Sequence, residues 1–248
     1  MTDSRNSSSI DIAANLQRVR KSIAAAAQKS GRDPNSVRLL PVSKTVSIEG
    51  IRAAMKAGEH RFGENRVQEA LRKHETLAEE PIDWIIIGSL QTNKARDVAR
   101  FAKEVQSLDR LRLAETLERR LQMENRAIDV LVQVNTSGES QKSGLAPDEV
   151  GDFLKKIRPF ETLRVKGLMT LALFSDDHEA VRTCFRRLRE LRDQLQNLPG
   201  HDFDLKELSM GMSGDYEIAI EEGSTEVRVG QAIFGPRPLP DSYYWPSG

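Results

Sequence analysis

The sequence predicts a closed (β/α)8 barrel, and three observations carry that expectation. The chain has 248 residues, the usual size of a barrel built as one domain. Short apolar runs alternate with amphipathic stretches of helical length, which is the pattern of parallel β-α-β units. No Pro/Ser linker divides the chain, so one domain over residues 1–248 is expected.

Taken in order, residues 1–8 are polar and read as a frayed tail. Ile12, Leu16, Val19 and Ile23 then recur at helical spacing, and Gly31 with Pro34 closes this extra leading helix. The strand candidates that follow are Val37 to Val42, His60 to Phe62, Trp84 to Ile87 and Glu104 to Leu108. They continue with Ile128 to Val134, Leu163 to Leu168, Leu205 to Leu208 and Thr225 to Val229. The second is only weakly marked, so a count of seven stays open. Among the helices, Leu113/Leu117/Leu121 is expected to be capped by Asp109. Val181/Phe185/Leu188/Leu195 marks a longer one.

Lys+Arg and Asp+Glu each number 37, for a net charge of zero. That gives no general attraction to nucleic acid or to an anionic membrane. Cys184 is the only cysteine, so no internal disulfide can form and a reducing, cytoplasmic setting is expected. The N-terminus lacks a signal-peptide run, and no stretch reaches the roughly 18 apolar residues of a membrane helix. His60, His74, His178 and His201 are scattered and show no ligand spacing with Cys184, so no metal site is expected.

In a barrel the strand-to-helix junctions gather at the end that carries chemistry. Here they are rich in small and amide-bearing residues. Lys44 follows the first apolar run in Pro41-Val42-Ser43-Lys44. A lysine at a strand end, held in a pocket, can act as a nucleophile towards an aldehyde. Ser209 to Ser213 precedes a helix expected to begin near Gly214, and Gly230-Gln231-Ala232 follows the last strand. Backbone N–H groups at such places can hold phosphate. Ser213 as a plain helix cap and Gly230 as a plain turn residue remain open. Arg228 lies near the end of the last strand, where a guanidinium can donate to a ring nitrogen, carboxylate or phosphate. A surface pair with Glu226 is the other reading of that arginine. Met210 and Met212 are expected to fill space around a ligand or in the core.

These motifs resemble the pyridoxal phosphate homeostasis proteins. The resemblance rests on Pro41-Val42-Ser43-Lys44, Phe62-Gly63-Glu64-Asn65-Arg66-Val67-Gln68-Glu69 and Gly88-Ser89-Leu90-Gln91-Thr92-Asn93-Lys94. It continues through Val134-Asn135-Thr136-Ser137-Gly138-Glu139, Gly167-Leu168-Met169-Thr170, Leu208-Ser209-Met210-Gly211-Met212-Ser213 and Glu221 to Gly230. It runs in order from about Ile10 to Phe234. It implies a single barrel resembling the N-terminal domain of alanine racemase, with pyridoxal 5′-phosphate held as an internal aldimine. Lys44 matches the aldimine lysine, Asn65 and Met210 match pocket residues, and Arg228 matches the arginine facing the pyridine nitrogen. Ser213, Gly230 and Gln231 match the phosphate loops. Ser89 stands where many members have His, and Gln231 where many have a small hydroxyl residue.

The implied role is cofactor homeostasis and delivery, not catalysis, with no catalytic residue assigned. The expected partners are pyridoxal phosphate, amino acids and apoenzymes that use the cofactor, and the protein is expected to be monomeric. An Arg partner leaves the ring nitrogen largely unprotonated and the ring a poor electron sink. A two-base racemase also needs a second acid/base; the tyrosines Tyr216, Tyr243 and Tyr244 do not supply one at a recognisable position. A racemase or lyase of restricted scope is the enzymatic alternative. An aldolase-type barrel is disfavoured by Arg228. The Arg182/Arg186/Arg187/Arg189/Arg192 helix reads as a solvated face interleaved with acids, and Lys94 and Lys142 as solvated loop residues.

Overall fold

The computed structural model describes residues 10–139, 141–197 and 203–236. The expected N-terminal tail, His201, Tyr243 and Tyr244 lie outside them. Eight parallel strands form one sheet in the order β1-β8-β7-β6-β5-β4-β3-β2. They are β1 (Arg38–Pro41), β2 (Arg61–Glu64), β3 (Asp83–Ile86), β4 (Glu104–Leu108), β5 (Ile128–Gln133), β6 (Leu163–Met169), β7 (Glu207–Ser209) and β8 (Glu226–Val229). The seam between β1 and β2 closes through the parallel bridge Val42↔Gly63 and the Ser43 N–H donating to the Gly63 carbonyl at 3.0 Å. The count is therefore eight. The weakly marked second strand begins one position later and ends two later than expected, because pairing with β3 places Gly63 and Glu64 in the sheet.

The helices are α1 (Ile12–Lys29), α2 (Ile48–Lys56), α3 (Val67–Thr76), α4 (Ala95–Phe101), α5 (Leu111–Met123), α6 (Val150–Ile157), α7 (His178–Gln196), α8 (Tyr216–Glu221) and α9 (Gln231–Phe234). Their apolar faces press on the outside of the sheet, and this shell is the main core. Trp84 and Phe62, both fully buried, meet there with ring centroids 6.3 Å apart. The extra helix α1 buries Leu16, Val19 and Ile23, and Asn15 Nδ2 donates to the Ile233 carbonyl at 2.8 Å, tying it to α9. Cys184 is buried among these packed side chains. No helix of the described residues is long and apolar enough to cross a membrane.

Two local expectations need correction. The N-cap position of α5 is Arg110, with no side-chain cap, because Asp109 pairs with the Arg110 guanidinium at 2.5 Å. The helix after Ser213 begins at Tyr216, not near Gly214, with Asp215 at its N-cap position.

The barrel interior departs from the apolar layering common in this architecture. Among the described residues, Leu40, Val42, Ile85 and Ile87 form a small apolar cluster apart from the outer shell. Below them, towards the strand N-termini, Arg61 donates to Glu104 at 2.8 Å and to Glu226 at 2.7 Å. Glu226 is fully buried. A charged floor of this kind stands only because each carboxylate meets a fixed donor.

Candidate functional site

The turn after β1 carries Lys44, and its shape is set by backbone and side-chain anchors together. Val46 N–H donates to the Ser43 carbonyl at 2.9 Å, closing a turn over Lys44 and Thr45. Thr45 sits in the left-handed region at φ 64°, a conformation that a β-branched residue adopts only under constraint. Such a residue stores about 1–3 kcal/mol of strain, which the surroundings must hold. The surroundings here are Glu64, Glu69 and Lys73. Lys73 Nζ donates to the Ser43 carbonyl, to Glu64 Oε1 and to Glu69 Oε1, each at 2.7 Å. Ser43 Oγ donates to Glu64 Oε1 at 2.6 Å, and Thr45 N–H donates to Glu69 Oε1 at 2.7 Å. Burial raises the Glu64 pKa; Glu69 adds to the rise and Lys73 opposes it.

The neighbouring strand β8 brings Arg228 into the same region, since Leu40 pairs with Arg228 and Pro41 with Val229. Arg228 is 3 % exposed, so the surface pair with Glu226 does not form; Glu226 is taken by Arg61 instead. Arg228 Nη1 donates to Ser209 Oγ at 2.6 Å and Nη2 to the Thr170 carbonyl at 2.8 Å. Ser209 Oγ donates in turn to Gln106 Oε1 at 2.7 Å. Gln106 Nε2 donates to Glu104 Oε1 at 2.6 Å and to Glu226 Oε1. A donor-only group at one end and carboxylates at the other fix the direction of every bond in this chain. Burial pulls the Arg228 pKa down to about 10, with Glu226 and Asp215 holding it up. The guanidinium stays charged at neutral pH.

The loops after β7 and β8 supply main-chain donors. Among the described residues, the N–H groups of Ser213, Gly214 and Gln231 donate to no protein acceptor. Gly230 sits against β1: a Cβ there would lie 3.1 Å from the Val42 carbonyl oxygen, so a small residue lets this loop close on the Lys44 strand. Asp215 accepts from Met212 N–H, and burial raises its pKa. Met210 is fully buried. Met212, by contrast, is 38 % exposed and does not fill the core, because it lies on the loop outside the sheet. Asn65 is half-buried at the end of β2; a Cβ on Gly88 would fall 2.2 Å from its carbonyl oxygen. Only glycine lets the β3 loop approach there.

The topology thus brings six of the sequence-predicted residues, Lys44, Asn65, Met210, Arg228, Gly230 and Gln231, to strand ends on one side of the sheet, with Ser213 on the loop beyond β7. Sequence reasoning missed Gln106, Ser209, Glu104 and Arg61 as a supporting chain, and Glu69 and Lys73 as anchors. The only signal was the presence of polar residues at alternate positions of runs read as apolar. Lys142 is half-buried; it donates to the Ala172 carbonyl at 3.1 Å and pairs with Glu139, bridging the loops after β5 and β6. Tyr216 packs against the core. Arg182, Arg186 and Arg189 pair with Glu222, and Arg182 also with Glu221. No group of three His, Cys, Asp or Glu among the described residues has the arrangement to hold a metal ion.

Residues 14–238 match the family model of the alanine racemase N-terminal domain. The pyridoxal phosphate homeostasis protein of Aquifex aeolicus is 42 % identical over 222 residues, covering 90 % of this chain and 96 % of that protein. That of Escherichia coli K12 is 40 % identical over 230 residues, covering 92 % and 97 %. PipY of Synechococcus elongatus, solved with PLP bound, superposes with a TM-score of 0.80 at 33 % identity, covering 90 % of this chain and 100 % of that one. Alanine racemase of Corynebacterium glutamicum, at 14 % identity and a TM-score of 0.61, covers 90 % of this chain and 62 % of that one, and shares the fold. With a barrel of this topology and relatives matched along nearly their whole length, the chain belongs to the pyridoxal phosphate homeostasis protein family.

Proposed function

We propose that this protein binds pyridoxal 5′-phosphate at the strand ends described above and serves its homeostasis inside the cell as a holder and donor, not as a dedicated enzyme. The single observation that carries the reading is the adjacency of β1 and β8. It sets Lys44, a buried guanidinium and uncommitted N–H donors on neighbouring strands and loops. The donor set fits the group: a dianionic phosphate suits main-chain N–H groups, and an aldehyde suits a primary amine.

When bound, the cofactor supplies an aldehyde that condenses with amines and a ring that draws electrons. In this assignment Lys44 is the amine for the aldehyde, and Ser213, Gly230 and Gln231 hold the phosphate through backbone groups. Asn65 and Met210 would line the ring, and Arg228 would face its nitrogen. Arg228 keeps its protons at neutral pH, so it donates a hydrogen bond without transferring charge. That leaves the ring less electron-withdrawing than one paired with an acid, which suits storage better than bond cleavage.

The use of backbone donors also accounts for Gln231 at a position where many relatives carry a hydroxyl. Its N–H serves whatever the side chain. Amino acids and recipient apoenzymes are the proposed partners, the protein acting as a cytoplasmic monomer with one barrel domain.

The test is incubation with pyridoxal phosphate, borohydride reduction and peptide mass spectrometry, alongside single-enantiomer amino acids followed by chiral chromatography. The expected result is a phosphopyridoxyl mark on Lys44, its loss in Lys44→Ala, and no turnover of either enantiomer. A wild-type protein that stays unmarked, or is marked elsewhere, defeats the binding assignment. Rapid racemisation defeats the carrier role.

A further inference from the structure

The Lys44 turn is held from behind by residues on another helix. We infer that Glu69 of α3, buttressed by Lys73 and Glu64, is a positioning residue that locks the Ser43–Val46 turn and thereby aims the Lys44 amine. This rests on Lys44 being the aldehyde-reactive amine, as proposed above.

Four contacts support the assignment. Glu69 Oε1 accepts from Thr45 N–H at 2.7 Å, on the residue next to Lys44. The same oxygen accepts from Lys73 Nζ at 2.7 Å. Lys73 Nζ also grips the Ser43 carbonyl at 2.7 Å, on the other side of Lys44. Ser43 Oγ donates to Glu64 Oε1 at 2.6 Å.

The backbone on both flanks of Lys44 is therefore tied to one buried ammonium, since Lys73 is only 7 % exposed. A purely structural ion pair would not need to engage the turn at two points. Nor would it need to hold Thr45 at φ 64°, where threonine is disfavoured and a local alternative would otherwise win. Glu64 Oε2 is buried with no hydrogen-bond partner. That cost is tolerated because Oε1 satisfies both Ser43 and Lys73. Rigid support of this kind matters because capture of an aldehyde by an amine replaces the C=O double bond with a C=N double bond, the oxygen leaving as water with the two amine hydrogens, and needs the amine on a narrow line of approach.

The experiment compares Glu69→Ala, Glu69→Gln and Ser43→Ala with the wild-type chain in two assays. The rate of covalent capture of pyridoxal phosphate is followed by borohydride quench and mass spectrometry. Non-covalent affinity is measured with 4-deoxypyridoxine 5′-phosphate, which has the ring and phosphate but no aldehyde.

Glu69→Ala is expected to slow capture by about tenfold or more, the scale of a misaimed reacting group, with affinity for the deoxy compound unchanged. Glu69→Gln keeps an acceptor for Thr45 N–H and should capture at nearly the wild-type rate. Ser43→Ala, a milder cut on the Glu64 side of the same network, should be slowed to a lesser degree. Capture at the wild-type rate in Glu69→Ala and Ser43→Ala, equal slowing in Glu69→Gln and Glu69→Ala, or a parallel loss of deoxy-compound affinity would each overturn the inference. A wild-type mark on a lysine other than Lys44 would instead overturn the site reading beneath it, so the two failures are distinguishable.

Discussion

Arg228 shows how one side chain couples the site to the barrel floor. Its guanidinium donates to Ser209 Oγ and to the Thr170 carbonyl, both on fully buried residues. Arg228→Leu leaves these acceptors unmet and should lower stability by about 1–3 kcal/mol, read from urea unfolding. It should also weaken cofactor binding. A variant with wild-type unfolding and wild-type affinity would show that the guanidinium is idle. The places of Lys44, Arg228 and Asn65 at strand ends, and of Ser213, Gly230 and Gln231 on the loops after β7 and β8, were legible from the sequence, because each sits next to a Gly-rich or apolar boundary. Gln106 and Glu69 were not. Their roles are contacts with residues 103 and 24 positions away, and such separations leave no mark in a local pattern.

At the scale of elements, the outer shell packs the apolar faces of the helices against the strands. Among the described residues, Trp84 on β3 is the largest fully buried side chain, and its ring lies 6.3 Å from that of Phe62 on β2, centroid to centroid. Trp84→Ala should cost about 3–5 kcal/mol through lost burial and a residual cavity. That loss would appear as a lower midpoint in denaturant with little change in slope. Near-wild-type stability would mean that the shell collapses into the gap. The strand-helix alternation was readable, because short runs with buried faces stand out against amphipathic helices. The failed cap at Asp109 has a plain cause. A neighbouring guanidinium competes for the carboxylate, and no periodicity reports that competition.

Over the whole molecule, the barrel floor sets a pH dependence. Glu104 is pushed up to about 7, first by burial and then by the adjacent Glu226, with Arg61 pulling it down. A carboxyl whose folded pKa exceeds its unfolded value binds more protons when folded, so stability falls as pH rises between about 4.5 and about 7. Acidifying within that window should stabilise the barrel through this group. Glu104→Gln should flatten the profile there, as measured by thermal unfolding at a series of pH values. An unchanged slope in the variant would remove Glu104 from the account. The same floor carries the Glu104–Gln106–Ser209–Arg228 chain, so its variants should also be checked for cofactor affinity.

By itself, the sequence determined the alternation of strands and helices, the barrel class and the strand-to-helix junctions rich in polar and small residues. Those features depend on short-range periodicity and on residues whose backbone freedom or chemistry is local. The tertiary structure alone decided how the barrel closes, which charges are buried and what holds the Lys44 turn. Closure puts β1 beside both β2 and β8, and only then do Arg61, Glu104 and Glu226 share one interior while Glu69 and Lys73 reach Thr45 and Ser43. Pairings of that kind arise from strand order and register, which a linear pattern does not contain.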